Sequence, residues 1–143
     1  MHRSQEILST ITTLLTGLSF TGSNVLQTRY YPTQNLPALT IQREADTVQD
    51  FLSNSFVDRY LELSVSIHVA GDPTKLDESA SDIAAEVYTA ILANPNLGLS
   101  YVIDAIPLGD SSPEISGESE TPTMLLQQQW RIHYRHSYQN PEL

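Results

Sequence analysis

Residues 57–69 read VDRYLELSVSIHV: Leu61, Leu63, Val65, Ile67 and Val69 alternate without a break against Glu62, Ser64, Ser66 and His68. Alternation with a period of two is the mark of a strand with one face in a core and the other turned to water or a partner. A helix would scatter the same apolar residues around its circumference. No other segment reads so cleanly, so this stretch is taken as the central strand, and the rest of the chain as elements that pair with it or cover it.

Working outward, residues 4–17 form an expected helix. Ile7, Ile11, Leu14, Leu15 and Leu18 make one apolar stripe, with Ser4 as the N-cap and Gly17 or Gly22 as the stop. Val25 to Tyr31 is an expected short strand, and Leu36 to Arg43 (LPALTIQR) a second. Residues 44–56, EADTVQDFLSNSF, lose all periodicity and are expected to be a long loop. They carry Val48, Phe51, Leu52 and Phe56 among acids and serines. Past the central strand, Gly71-Asp72-Pro73 is a turn, and Thr74 is expected to cap a helix over residues 75–93. The stripe of that helix is Leu76, Ala80, Ile83, Val87, Ala90 and Ile91, with Asp77 and Glu78 in its first turn. Asn94-Pro95 ends it.

Residues 99–108 form a strand with apolar residues on both parities, which predicts cover on both faces. An acidic, Ser- and Gly-rich loop, 109–123, follows, and then a last strand over 125–138. In that strand Leu126, Trp130, Ile132, Tyr134 and Tyr138 share one parity, and Gln127, Gln129, Arg131, His133 and Arg135 the other. The expected fold is one α+β domain over residues 1–143. It is a two-layer structure, a mostly antiparallel sheet of about five strands under two helices, in the order α-β-β-β-α-β-β. The second sheet face, with Glu62, Ser64, Ser66 and His68, is expected to be open and polar.

Composition narrows the function. The 143 residues suffice for a real core, burying roughly 70% of the unfolded surface. Absence of cysteine excludes disulfides and thiolate metal sites. A balance of 17 Asp and Glu against 7 Lys and Arg opposes non-specific binding to nucleic acid or anionic membrane. No apolar run approaches a membrane span, and MHRSQEILS lacks a signal-peptide core, so a cytoplasmic, soluble protein with no membrane partner is expected.

Catalytic patterns are sparse. Gly109-Asp110-Ser111-Ser112 matches the nucleophile block of GDS-type esterases, with His133 and His136 downstream to take a proton. Yet the block normally opens a much larger domain, and an acidic turn explains it as well. His133 and His136 point to opposite faces of one strand, while His68 and His133 can meet across strands but lack a third ligand. No catalytic residue, metal or cofactor is therefore expected. The candidate interaction residues are Val48, Phe51, Leu52 and Phe56 in the first loop, and Glu114, Ile115 and Glu118 in the second.

Several stretches carry a family likeness. They are IxxxIxxLLxGL near the N-terminus, LPALTI, RYLELSVSIHVAG with its R-x-L-x-L-x-V-x-I spacing, LDESASDIAAEVYTAI, and QQQWRIHYR with W-x-I-x-Y. Together they resemble the small tail terminator and tail completion (tail-to-head joining) proteins of long-tailed bacteriophages, across nearly the whole chain. The resemblance implies a non-enzymatic structural protein of the virion, made in the host cytoplasm and placed at the head-proximal end of the tail. It implies a homo-oligomeric ring, usually a hexamer, that caps the tail tube and presents a surface to the head–tail connector. Genomic DNA would pass through the lumen without specific binding. A head-side connector or neck adaptor is the alternative within the same class, and a small serine hydrolase the alternative outside it. The acidic 109–123 segment has no counterpart in that pattern.

Overall fold

A computed structural model describes residues 2–27, 36–51, 55–116 and 122–142. The elements run α1 (Arg3–Leu15), β1 (Val25–Leu26), β2 (Ala38–Phe51), β3 (Phe56–Ala70), α2 (Leu76–Leu92), β4 (Val102–Asp110), β5 (Glu114–Ser116) and β6 (Thr123–Ser137). They build the expected α+β fold, with one six-stranded, mostly antiparallel sheet in the order β1-β2-β3-β6-β4 and β5 beside β6. Among the described residues the only parallel pair is β1 with β2.

At the centre, β3 and β6 pair in unbroken register from Phe56↔Ser137 to Ala70↔Thr123. Leu61, Leu63, Val65 and Ile67 are fully buried on the helix side, opposite or beside Ile132, Trp130 and Leu126. Ile7, Ile11 and Leu15 of α1 and Ile83, Val87 and Ile91 of α2 close the same core, with Leu14 partly buried at its margin. Each helix shows an apolar stripe because its apolar residues recur every three or four positions.

The helix caps differ from expectation. His2, not Ser4, caps α1: its Nδ1 accepts from the Ser4 backbone N–H at 3.0 Å, and Ser4 itself is buried in the first turn. Thr74 does not cap α2. The N-cap is Lys75, without a side-chain bond, while Asp72 accepts from both the N–H and the hydroxyl of Thr74 in the preceding turn.

The larger correction concerns residues 44–56. Residues 44–51 are strand, not loop: β2 runs on to Phe51, β3 begins at Phe56, and the two pair antiparallel to Phe51↔Val57, while residues 52–54 lie outside the described residues. Two β-bulges hide this in the sequence. The register shifts between Arg43 and Ala45 and again between Val48 and Asp50. Each extra residue moves the following side chains to the other face, which destroys the period of two. The expected 109–123 loop is in part strand, since β4 reaches Asp110 and β5 pairs with β6 through Glu114↔Leu125; residues 117–121 lie outside the described residues. The expected strand over 25–31 is observed at Val25–Leu26, and its remainder lies outside the described residues apart from Gln27.

The expected double cover of the fourth strand is also corrected. Only Val102 and Ala105 of β4 are buried, and Ile103 and Leu108 are exposed. Both occupy bulges, where the register skips from Val102 to Asp104 and from Pro107 to Gly109. Gly109, at φ +116, takes a backbone conformation that a side chain would strain. Apolar residues on both parities thus record bulges in an edge strand rather than two covered faces.

Leu63→Ala removes a fully buried side chain from the β3–β6 spine, and the expected cost is about 2–5 kcal/mol in urea unfolding. Amide exchange should be slowest across residues 61–67; if they were among the fastest, the central role of β3 would be lost.

Candidate functional site: two hairpin ends and the polar sheet face

The strand directions place the two hairpins at opposite ends of the sheet. The end of β2 and the start of β3 lie beside the C-terminal end of β6, because Phe51 opposes Val57 and Phe56 opposes Ser137. The end of β5 and the start of β6 lie beside the end of β3, where the Gly71 N–H donates to Pro122 O at 3.1 Å. Fifteen residues of β3 separate them, roughly 45–50 Å at strand rise.

Both ends expose apolar groups. Val48 is 52% exposed and stands opposite Arg59; Phe56 is 45% exposed, with the Arg135 guanidinium 5.5 Å above its ring. Tyr138 is exposed beside them, its N–H donating to Ser55 O. At the far end Ile115, at 64%, is the most exposed large apolar side chain described, next to an exposed Glu114. Phe51 closes the β2 ladder opposite Val57. Leu52 and Glu118 lie outside the described residues. Of the candidate residues, Val48 and Phe56 therefore stand at one end, on opposite faces of the sheet, and Glu114 and Ile115 stand at the other.

Sequence reasoning missed Ile103 and Leu108 as surface groups. Both line an edge strand that has no strand partner on its outer side among the described residues. The signal was present as apolar residues on both parities beside Pro107, a combination suited to an edge.

The second sheet face is not open at its centre. Ser64 and Ser66 are fully buried, as is Thr40, and His68 is 6% exposed. Their side chains are short and lie beneath longer polar neighbours. Ser64 Oγ donates to Glu44 Oε1 at 2.7 Å, Gln127 Nε2 donates to Ser66 Oγ at 3.3 Å, and Thr40 Oγ1 lies 2.9 Å from His68 Nε2. Toward the β2–β3 end the face becomes a ladder of alternating charge and ring. Arg135 donates twice to Asp58, at 2.6 and 3.1 Å, and holds that carboxyl below its ordinary range. His133 packs edge-on against Tyr60, whose ring carries Arg131, and Arg131 donates to Glu62 at 3.0 Å. The Arg131–Glu62 pair is half-exposed and lends register more than stability, whereas Asp58 is buried beneath Arg135.

The esterase-like constellation is not assembled. The Ser111 hydroxyl accepts from the Gln127 N–H at 3.2 Å, whereas His133 lies six positions along the same strand, roughly 20 Å away. His68 and His133 do not meet either, since they oppose Leu125 and Tyr60 respectively. An open cleft of about 220 Å3 between α2 and β4 is lined by Ala84, Ala85, Tyr88, Asp110 and Gln128, with Asp110 its one titratable carboxylate. No group of three or more metal-binding side chains occurs among the described residues. No helix among them is long and apolar enough to cross a membrane.

No family model matches this sequence, and no curated protein matches it. Among solved structures, a chain from the "virion of native gene transfer agent (GTA) particle" is similar at a TM-score of 0.49 and 13% identity, over 86% of this chain and 84% of that one.

Burial lowers the pKa of His68 to about 4. The unfolded imidazole titrates near 6.5, so between these values the unfolded chain binds a proton that the folded chain refuses. Stability should fall by about 2–3 kcal/mol as pH drops from 6.5 to 4 on this account. Chemical denaturation of His68→Gln across that range should show a shallower loss; an unchanged slope would show that His68 charges freely.

Proposed function

We propose that the chain is a structural virion protein that assembles with copies of itself into a ring capping the phage tail tube, and that this ring offers the joining surface to the head–tail connector. The observation that carries this reading is the placement of exposed apolar side chains on two hairpins at opposite ends of one continuous strand pair. A monomer gains nothing by leaving Val48, Phe56 and Ile115 in water, at roughly 25 cal/mol per Å2 of apolar surface. A subunit that must touch neighbours beside it, a tube on one side and a connector on the other needs separated contact surfaces of this kind. The resemblance of the N-terminal helix, the LPALTI and RYLELSVSIHVAG strands and the closing QQQWRIHYR strand to tail terminators supplies the identity of those partners.

Charge supports the same reading. Arg3, Arg43, Arg59, Arg131 and Arg135 lie in the half of the molecule nearer the β2–β3 turn, beside Glu6, Asp46, Asp58 and Glu62. The α2 end carries Asp72, Asp77, Glu78, Asp82, Asp110 and Glu114 with Lys75 as the one cation among its described residues. Walls of that sign let a nucleic-acid backbone pass without trapping it.

The double change Val48→Ser, Phe56→Ser should leave a folded subunit that fails to enter the ring, giving tails of irregular length or heads left unjoined. A variant that folds, assembles and caps tails normally would remove this end of the sheet from the interface.

A further inference from the structure

His136 is buried on the helix side of β6, at the root of the β2–β3 hairpin. Its Nε2 lies 2.9 Å from Arg59 Nε. A guanidinium is always protonated, so Arg59 donates and Nε2 must hold the lone pair. Nδ1, 2.7 Å from Ser137 O, then carries the hydrogen and donates. Both ring nitrogens are committed to a neutral imidazole, and another proton would set two cationic donors face to face at 2.9 Å.

Arg59 has a second acceptor within reach. Asp46 Oδ2 accepts from the Tyr134 hydroxyl at 2.7 Å, but Oδ1 is buried and accepts no hydrogen bond among the described residues. It lies 3.8 Å from Arg59 Nη1, an ion pair one small movement short of a hydrogen bond. The other groups facing this cluster are Tyr134 on β6, Arg43 on β2 and His2 on α1, whose ring is 6.4 Å from that of His136. His2 is also an acceptor, in the α1 cap, and burial pushes its pKa below the ordinary imidazole value against the opposing pull of Asp46.

We propose that His136, Arg59 and Asp46 form a proton-operated switch, in which protonation of His136 expels the Arg59 guanidinium onto Asp46 Oδ1 and loosens the root of the β2–β3 hairpin. Arg59 pairs with Val48 on one side and Tyr134 on the other, so its displacement acts on all three strands that meet there. The imidazole must be neutral for the closed arrangement, so the root is tight at neutral pH and opens as pH falls. This is a property of the folded chain alone and stands or falls apart from the ring.

The test is nuclear magnetic resonance of the wild-type protein from pH 7.5 to 5. Protection factors for amides 45–48 and 57–60 should drop about tenfold or more in step with the His136 ring resonance, while residues 63–67 stay protected. The Arg59 Nε–H resonance should shift with the same midpoint. His136→Gln, whose carbonyl accepts from Arg59 at every pH, should abolish the step, and His2→Asn, which keeps a good cap, should retain it. Asp46→Asn should suppress the Arg59 shift. A step that survives in His136→Gln, vanishes in His2→Asn, or coincides with loss of protection at 63–67 would overturn the switch. So would an unchanged Arg59 shift in Asp46→Asn, or no step in the wild type.

Discussion

The unbroken antiparallel register between β3 and β6 is the constraint on which the rest of the molecule depends. It puts Leu61, Leu63 and Ile67 opposite Ile132, Trp130 and Leu126, so one face of two long strands is apolar for its central length except at Gln128, opposite Val65, whose amide donates to Ala84 O and accepts from Trp130 Nε1. The helices bury that face. Among the described residues the bulges are confined to β2 and β4, the neighbours on either side of this pair. The irregularity therefore bends the outer strands and leaves the spine intact.

The polar side follows from the same register. Side chains opposite one another across β3 and β6 include Asp58 with Arg135, Glu62 with Arg131 and Ser66 with Gln127. Each pair has one short or acidic member and one long donor, which lets the long group cover the short one. This is how serines on a face without helices become buried. At the β2–β3 end the network of Arg59, Asp46, Tyr134 and His136 lies on the helix side of the same strands, and the Arg3 guanidinium of α1 donates to Arg135 O at 2.7 Å. Tyr101, bonded to Glu6, and Tyr134, bonded to Asp46, are both held far from ionising, chiefly by burial.

Much of the fold is legible in the residues. The periods of α1, α2, β3 and β6 are clean because each packs one face against the same core. The hairpin beyond Arg43 is not legible, because single extra residues at Glu44 and Gln49 reset the parity of every side chain after them. The bulges that carry Ile103 and Leu108 mislead in the opposite sense, making an exposed edge look doubly buried. Ser64 and Ser66 read as solvated because polarity was taken for exposure, whereas side-chain length decides their burial. The apolar character of Val48, Phe56 and Ile115 is visible in sequence; their separation to opposite ends of the sheet depends on strand direction and on pairings that composition does not encode.

The central claim is that these separated surfaces are covered by other copies of the chain and by the tail. Its most direct test is the mass of the purified protein in solution, measured together with negative-stain images of it alone and mixed with tail tubes. The account predicts a closed ring with a central hole, formed at high concentration or on the tube end. A compact monomer at every concentration that leaves tube ends bare would contradict it.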